Sequence, residues 1–205
     1  MHQPGQVSHL SDQLTLDFVG GSMGHRLRSG GRGGALRRAF GFSNGNAPAI
    51  IDATAGLGRD AVLLASMGAR LTMVERSPVV HALLRDALDR ACASGPEFAA
   101  IGGRITLLHG DAKELLPTLT PEAVLVDPMH PPRKNTALVK MEMRLLRQLV
   151  GADPDALELM QVALACAQKR VVLKWPQHAA PLPGLRKPSH QIFGKTTRYD
   201  VFMTG

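Results

Sequence analysis

The stretch Ile51-Asp52-Ala53-Thr54-Ala55-Gly56-Leu57-Gly58-Arg59-Asp60 joins a short apolar run to a segment with helical periodicity. The apolar run, Ala49 to Ala53, contains two β-branched isoleucines and predicts a buried strand, whereas Arg59 to Met67 carries apolar residues at helical spacing. Gly56 and Gly58 lie at the junction, where a tight turn needs backbone conformations that residues with a Cβ avoid. The stretch therefore predicts a strand–turn–helix unit of an α/β fold.

The spacing of these glycines indicates the class of ligand that such a turn could hold. A dinucleotide-binding turn has glycine directly after the strand and a third glycine three positions beyond the second. Here Asp52 and several small residues precede Gly56, and Ala61 stands at the third position after Gly58. The turn favours a nucleoside ligand without a pyrophosphate, contacted by Asp52, Gly56 and Gly58. An ordinary strand–helix turn is the alternative interpretation.

Strands and helices continue to alternate along the rest of the chain. Such repeats predict a mostly parallel sheet with helices on both faces, and the last two apolar runs, separated by a few polar residues, predict an antiparallel hairpin. The further predicted strands are Arg70 to Val74, Arg104 to Leu108, Ala123 to Val126, Arg170 to Leu173, Gln191 to Phe193 and Tyr199 to Met203. The further predicted helices are Pro78 to Ala93, a short helix from Asp111 to Leu116, Ala137 to Val150 and Pro154 to Gln168.

Residues 1–40 differ in composition from the rest of the chain. Leu14 to Val19 predicts a short strand, and Gly20 to Phe40 is rich in glycine and arginine without any acidic residue. We expect a flexible arm here, with a short helix only near Gly34 to Ala39. Residues 41–205 then form the main domain, because a chain of 205 residues can build one sizeable core.

The segment Val126-Asp127-Pro128-Met129-His130-Pro131-Pro132 places an aspartate directly after a wholly apolar strand. Pro128 restricts Asp127 to an extended conformation and has no N–H, which leaves acceptor oxygens for a substrate. An exocyclic base amine is a poor nucleophile because its lone pair is conjugated into the ring. The Asp127 carboxylate and the Pro128 carbonyl would polarise it. His130 could stack on the base, or be a surface histidine. The alternative for Asp127 is a turn-forming role.

Three further polar residues lie at the end of a predicted strand or at the start of the helix that follows one. Ligands in such sheets bind beyond the carboxyl ends of the strands. Glu75 is placed to accept both hydroxyls of a ribose, or it is a solvated carboxylate at the end of a strand. Asp111 could accept the amine of an adenine or cap a helix. Asp60 could interact with the helix dipole or with a charged amino-acid group. Together with Asp127, these residues predict an N-methyltransferase that uses S-adenosylmethionine (SAM).

Positive charge exceeds negative charge, with 24 Lys plus Arg against 17 Asp plus Glu and a formal net charge of +7. The stretch Lys169 to Arg198 has no acidic residue, and Arg133, Lys134 and Lys140 follow the Asp-Pro segment closely. Such a distribution favours a polyanionic partner, in particular nucleic acid. A merely solvated surface is the alternative.

The two cysteines, Cys92 and Cys166, are isolated from each other and from any Cys/His cluster, which predicts neither a disulfide framework nor a metal site. Met1 to Leu10 is polar, and no run approaches the roughly 18 apolar residues of a membrane span. We therefore expect a cytoplasmic protein without membrane contact or metal, and a monomer.

Several of these segments occur together in one known family. They are Asp17 to Gly21, His25-Arg26, Gly31-Arg32-Gly33, Asp52 to Asp60, Glu75 to Val80, Asp127-Pro128-Met129, and Thr136 to Lys140 with Glu142-Met143-Arg144. From about Leu14 to its end the chain resembles the bacterial ribosomal RNA small subunit methyltransferase J family. The resemblance implies a class I SAM-dependent methyltransferase (Rossmann-like) fold and methylation of the N2 amine of one guanosine in 16S rRNA. The family positions that contact SAM correspond to Arg59, Asp60, Glu75, Arg76, Asp111, Ala112 and Asp127.

Other functions share parts of this pattern. Another amino-group methyltransferase, acting on adenine in DNA or on glutamine in protein, would carry Pro-Pro-aromatic after its Asn or Asp, where this chain has Met129 and His130. A ribosome assembly factor that binds SAM without turnover is a second alternative. A nicotinamide dehydrogenase is a third.

Among the predicted SAM-binding residues, Arg76 could instead be an ordinary surface charge.

Overall fold

The computed structural model describes residues 15–28, 34–43, 47–129 and 153–205. Within these ranges seven strands form one sheet. The strands are β1 (Ala49–Asp52), β2 (Arg70–Glu75), β3 (Ile105–His109), β4 (Ala123–Val126), β5 (Arg170–Pro176), β6 (His190–Phe193) and β7 (Thr197–Met203). The helices are α1 (Gly21–Arg28), α2 (Gly34–Ala39), α3 (Arg59–Ser66), α4 (Pro78–Ala93), α5 (Pro96–Gly102), α6 (Ala112–Leu119) and α7 (Ala156–Cys166).

The strand order in the sheet is β3-β2-β1-β4-β5-β7-β6. The first five strands pair in parallel, and β7 is antiparallel to both β5 and β6. The predicted α/β sheet with a C-terminal antiparallel hairpin is therefore confirmed. Because the order reverses at β1 and β4, the carboxyl ends of these two strands meet at the switch point where such folds bind ligands.

Side chains on the two faces of the sheet belong to two separate cores. Ile50 and Leu125 face the helices α3, α4 and α5, whereas their chain neighbours Ile51 and Val124 face α6 and α7. This alternation follows from the two-residue repeat of a strand. It explains why the central strands read as continuous apolar runs, since both of their faces are buried.

The predicted strand at the N-terminus is wrong for residues 15–19, which form no strand. The pattern that suggested it is real, because Leu16 and Phe18 are buried and alternate with exposed neighbours. However, the Asp17 carboxylate accepts the N–H groups of Val19 and Gly20, at 2.8 and 3.0 Å, and this turns the chain instead of extending it.

The glycine- and arginine-rich segment is more ordered than its composition predicts. Residues Gly21–Arg28 form helix α1, where we expected a flexible arm, and the predicted short helix at Gly34–Ala39 is confirmed as α2. Met23, Leu27 and Leu36 are buried in the core on the α3 face of the sheet. Burial of these apolar side chains offsets the entropy cost of ordering the glycines.

Most of the other predicted elements are found within two or three residues of their expected ends, and β4 and α4 match completely. Helix α5 (Pro96–Gly102) was not expected from the sequence. The predicted helix at residues 137–150 lies outside the described residues. No helix in the described part of the chain is long and apolar enough to cross a membrane.

Candidate active site

Glu75, the last residue of β2, is 5% exposed and fixes two loops at once. Its Oε2 accepts the Gly56 N–H at 3.0 Å and its Oε1 accepts the Ser77 N–H at 2.8 Å. Burial raises the pKa of Glu75, and these two hydrogen bonds oppose the rise. Each oxygen retains a second lone pair. The carboxylate can therefore accept a pair of neighbouring hydroxyls, such as those of a ribose, while it holds the glycine turn.

The glycine turn after β1 uses left-handed backbone conformations, with φ 53° at Gly56 and 69° at Gly58. A Cβ at Gly58 would lie 2.8 Å from a methyl carbon of Leu84 and 3.0 Å from that of Met73. Gly58 is therefore required for close packing against the core. This requirement would hold even if no ligand approached the turn. Gly56 has a different role, because its N–H anchors the Glu75 carboxylate.

The Lys174 ammonium bridges the carboxylates of Asp60 and Asp127. Its Nζ lies 2.8 Å from Asp60 Oδ2 and 2.6 Å from Asp127 Oδ2, and its side chain is 25% exposed. The register pairs Val126 of β4 with Leu173 of β5, so the following residues, Asp127 and Lys174, come side by side. Burial lowers the pKa of Lys174, but the neighbouring Asp127 and Asp60 raise it by more than burial lowers it. The side chain therefore stays cationic at neutral pH.

The Asp-Pro-Met loop is held on both sides of its proline. The Asp127 N–H donates to Thr54 Oγ1 at 2.7 Å, and the Met129 N–H donates to Asp153 Oδ2 at 2.6 Å. Pro128 is buried, whereas the Asp127 side chain is 38% exposed. Loss of hydration in the crevice raises the pKa of Asp127, and the bridging ammonium opposes this rise. The loop therefore presents a fixed carboxylate, which is the requirement for electrostatic preorganisation.

Arg76 joins the end of β2 to the residues before α7. Its guanidinium forms ion pairs with Asp153 and, at 3.2 Å, with Asp155. Lys113 of α6 also reaches Asp155, at 2.9 Å. The same Asp153 carboxylate accepts the Met129 N–H, so this charged network supports the Asp-Pro-Met loop. A contact of Arg76 with SAM stays a prediction.

Three further predicted residues open helices at the carboxyl edge of the sheet. Asp111 is the N-cap of α6, and its Oδ1 accepts the Lys113 N–H at 2.8 Å. The capping role is confirmed, whereas a contact with adenine stays a prediction. Ala112 is buried in the core under α6. Arg59 is the half-buried first residue of α3, and Asp60 follows it in the same turn.

The basic stretch Lys169 to Arg198 is not a uniform nucleic-acid surface. Lys174 belongs to the carboxylate cluster, and Arg198 is 5% exposed and pairs with the buried Asp200 at 3.1 Å. The predicted phosphate contact is therefore wrong for Arg198, because burial removes it from any RNA surface. Lys174 is 25% exposed and paired with two carboxylates, and its contact with a phosphate stays a prediction. Asp153 was also missed, since its contact with Met129 spans a sequence separation of 24 residues.

Some predicted residues cannot be placed in the site. His130, Arg133, Lys134 and Lys140 lie outside the described residues, and the stacking role of His130 stays a prediction. In the described part of the chain, no group of three or more His, Cys, Asp or Glu side chains could hold a metal ion.

Three carboxylates face one ammonium in the crevice. Asp52, the last residue of β1, is 3% exposed and interacts electrostatically with Asp60, Asp127 and Lys174. Burial raises the pKa of Asp52 to about 7; a hydrogen bond from the Thr54 N–H opposes the rise, and Asp60 and Asp127 add to it. The cluster therefore carries an excess of acceptors and negative charge, which suits a cationic ligand.

Comparison with known proteins identifies the family. A family model described as "Putative SAM-dependent methyltransferase" matches residues 5–204. Ribosomal RNA small subunit methyltransferase J of Agrobacterium fabrum is 63% identical over 194 residues, which cover 94% of this chain and 93% of that protein. The protein of the same name from Rhodopseudomonas palustris strain HaA2 is 62% identical over 191 residues, 93% of this chain and 88% of that protein.

The chain belongs to the ribosomal RNA small subunit methyltransferase J family. A solved structure supports the fold of this methyltransferase as well: the SAM-dependent methyltransferase from Neisseria gonorrhoeae is 34% identical and superposes with a TM-score of 0.73, covering 93% of this chain and 74% of that one. The predicted class I fold, enzyme class and cofactor are thereby confirmed. The nicotinamide dehydrogenase alternative is wrong.

The residues at the carboxyl edge of this methyltransferase suit SAM chemically. SAM carries a sulfonium, an α-ammonium and a ribose with two hydroxyls. The cluster of Asp52, Asp60 and Asp127 supplies negative charge for the cations, and the buried Glu75 supplies acceptors for the hydroxyls. The donor set therefore fits the cofactor that the family requires.

We expect SAM to bind more tightly as pH rises towards neutrality. With a pKa of about 7, compared with its ordinary value of 3.8, Asp52 is protonated in the free protein below neutral pH. A cationic ligand favours the ionised form, so binding below pH 7 must release a proton, and affinity should fall by up to about tenfold per pH unit. Calorimetry in two buffers of different ionisation enthalpy counts the protons released at pH 6.

The matched control for this prediction is Asp52→Asn. The amide is neutral at every pH, so the variant should show weaker SAM binding with a flatter pH dependence. An unchanged pH slope in Asp52→Asn would assign the proton to another group.

Proposed function

We propose that this methyltransferase transfers the methyl group of SAM to the exocyclic N2 amine of a guanosine in 16S rRNA of the small ribosomal subunit. The observation that carries the proposal is the partly exposed Asp127 carboxylate, fixed by Lys174 next to the switch point of the sheet. The shared name of relatives that are 62 to 63% identical supports the choice of substrate.

In this proposal the described crevice holds SAM through residues from four strand ends. Glu75 accepts the ribose hydroxyls, Asp111 lies near the adenine, and the carboxylates around Asp60 face the charged amino-acid group. Bound SAM supplies a methyl group that its sulfonium already activates. The protein must therefore orient and polarise the amine that receives it.

Asp127 and the backbone carbonyl of Pro128 accept the two N–H groups of the amine. This localises the nitrogen lone pair, and the Asp127 carboxylate stabilises the positive charge that grows on the nitrogen. Lys174 opposes the rise that burial causes in the pKa of Asp127 and so favours the ionised form, which is the form that can stabilise this charge. One proton leaves the methylated amine, to Asp127 or to water.

A methylation assay tests the function directly. Small ribosomal subunits and protein-free 16S rRNA from a strain without this enzyme are incubated with labelled SAM, and mass spectrometry locates the modified nucleotide. N2-methylguanosine at one position is the expected product. Methylation of DNA adenine or of a protein glutamine, with unmodified rRNA, would instead support another amino-group methyltransferase.

We expect the affinity for rRNA to fall steeply with salt. Each phosphate contact should contribute about 0.7 log units of affinity per tenfold change in salt on single-stranded segments. Lys195 is exposed in the loop between β6 and β7, at the catalytic edge of the sheet, and Lys195→Ala should lower this slope by about one contact.

Lys169→Ala is the control for that titration. Lys169 is also exposed, but it pairs with Glu122 at 2.8 Å and precedes β5, at the opposite edge of the sheet. Its removal should leave the salt slope unchanged. Equal slopes for both variants and the wild type would argue that Lys195 is only solvated.

A cytoplasmic location and a monomeric state complete the proposal. Ribosomal RNA is the substrate, and the two cysteines, Cys92 and Cys166, are free thiols. Sedimentation of the purified protein at several concentrations tests the monomer.

A further inference from the structure

Two large hydrophobic side chains are exposed among the described residues. Phe193 is 53% exposed and Met203 is 37% exposed. Phe193 ends β6 and Met203 ends β7, and because these strands are antiparallel, the two side chains lie at opposite edges of the sheet. A single exposed apolar side chain is common on protein surfaces, so the exposure of Phe193 is informative only together with its position and its charged surroundings.

Phe193 lies on the edge of the sheet that carries the active site. Two antiparallel pairings in succession make β6 parallel to β4. The registers place Val126 in one row with Leu173, Asp200 and Gln191. Phe193, two residues beyond Gln191, is therefore level with Pro128. Three strand spacings separate them, which is about 14 Å.

The loop that follows Phe193 is held in place by the chain after β5. The Gly194 N–H donates to the Thr197 carbonyl at 2.7 Å, and the Gln177 N–H donates to the Thr196 carbonyl at 3.1 Å. The buried Arg198 adds hydrogen bonds to the carbonyls of Pro176, Gln177 and Ala179. The ring is thus carried on a fixed support, which lowers the entropy cost of contacting a ligand.

The charge around the ring indicates what it contacts. Lys195 is exposed two residues away, and the sequence from Lys169 to Arg198 has no acidic residue. Phe193 is the one exposed large hydrophobic side chain described at this edge, and a single ring is smaller than the apolar patch of a protein interface. An aromatic face beside positive charge is the combination that binds single-stranded nucleic acid, through stacking and phosphate contacts.

We propose that Phe193 stacks on an unpaired base of the RNA substrate, a few nucleotides from the methylated guanosine. This inference rests on the proposed function, and it adds a second point of contact three strand spacings, about 14 Å, from the Asp-Pro-Met loop. Such a contact would help to select the target, because a guanosine is methylated efficiently only when an unpaired base lies at the matching distance.

The test compares four variants by RNA affinity and by steady-state methylation. Phe193→Ala should raise the Kd and KM for RNA about 5- to 150-fold, the range expected for loss of one stacked base. The kcat and the SAM affinity should stay within about twofold. Phe193→Trp should keep the affinity, whereas Phe193→Leu, apolar but without a π face, should lose it. Met203→Ala should behave as the wild type.

The outcomes separate this inference from the proposed function. If the wild type does not methylate rRNA, the proposed function fails. If it does, and either Phe193→Ala or Phe193→Leu binds RNA as tightly as the wild type, only the stacking inference is overturned. An effect seen on assembled subunits but absent on protein-free 16S rRNA would overturn it too, because the ring would then contact a ribosomal protein.

Discussion

Replacing Asp127 with alanine should slow methyl transfer about 10²- to 10³-fold, the usual effect of removing one preorganised group that stabilises a transition state. The carboxylate is 38% exposed, fixed through its backbone N–H and paired with Lys174 at 2.6 Å. It therefore needs no rearrangement as positive charge grows on the substrate amine. The measurement is single-turnover methylation with the enzyme saturated by SAM, which isolates the chemical step from cofactor binding.

The change at Asp127 should not disturb the fold. After Asp127→Ala the Lys174 ammonium keeps Asp60 at 2.8 Å, so no buried charge loses its last partner. The matched control is Asp86→Ala, which removes a carboxylate that is 65% exposed on α4 and should leave turnover unchanged. An Asp127→Ala rate within about threefold of the wild type would show that something else positions the amine.

The strand ends, and therefore most of the crevice, can be predicted from the sequence. Glu75 and Asp127 each follow an apolar run directly, and a parallel sheet brings the ends of such runs together. The order of the strands, with β1 and β4 at its centre, places these two carboxylates on either side of the glycine turn. Periodicity alone was enough for this part, because it reports which residues are buried.

The rest of the site depends on contacts between distant parts of the chain. Lys174 stands in a basic run, and its role appears only when β4 and β5 pair in register. Asp153 reaches Met129 across residues 130–152. The buried Arg198 donates to the carbonyls of Pro176, Gln177 and Ala179, which lie in a different part of the chain. The strand predicted at residues 15–19 is absent for a related reason. Buried and exposed side chains do alternate there, but the Asp17 carboxylate accepts two backbone N–H groups and turns the chain.

Lys174→Met should destabilise the folded protein by about 1–3 kcal/mol at neutral pH, which is less than the roughly 3–5 kcal/mol for a fully buried ion pair because Lys174 is 25% and Asp127 38% exposed. Methionine keeps the length of the side chain, so the change removes charge with little loss of packing. Asp60 and Asp127 would then face each other and Asp52 without a cation. Urea unfolding at pH 5 and pH 8 measures the free energy of unfolding under both conditions.

The dependence on pH distinguishes a charge effect from a packing effect. Lys174 lowers the pKa values of Asp52 and Asp127, which burial raises, so without the ammonium these two values should rise further in the folded state. The folded protein then binds more protons than the unfolded chain between the two sets of pKa values, and stability falls as pH rises through that window. The loss in Lys174→Met should therefore be smaller at pH 5 than at pH 8, whereas a cavity would cost the same at both.

Two further variants make the result specific to this cluster. Lys174→Arg keeps the charge and should recover most of the stability, while Lys169→Met removes an exposed pair worth about 0–1 kcal/mol. A loss below about 1 kcal/mol in Lys174→Met would mean that the carboxylates neutralise themselves by taking up protons. In that case Asp127 would not be held ionised by Lys174, and the polarising role of its carboxylate would have to depend on the charge of bound SAM.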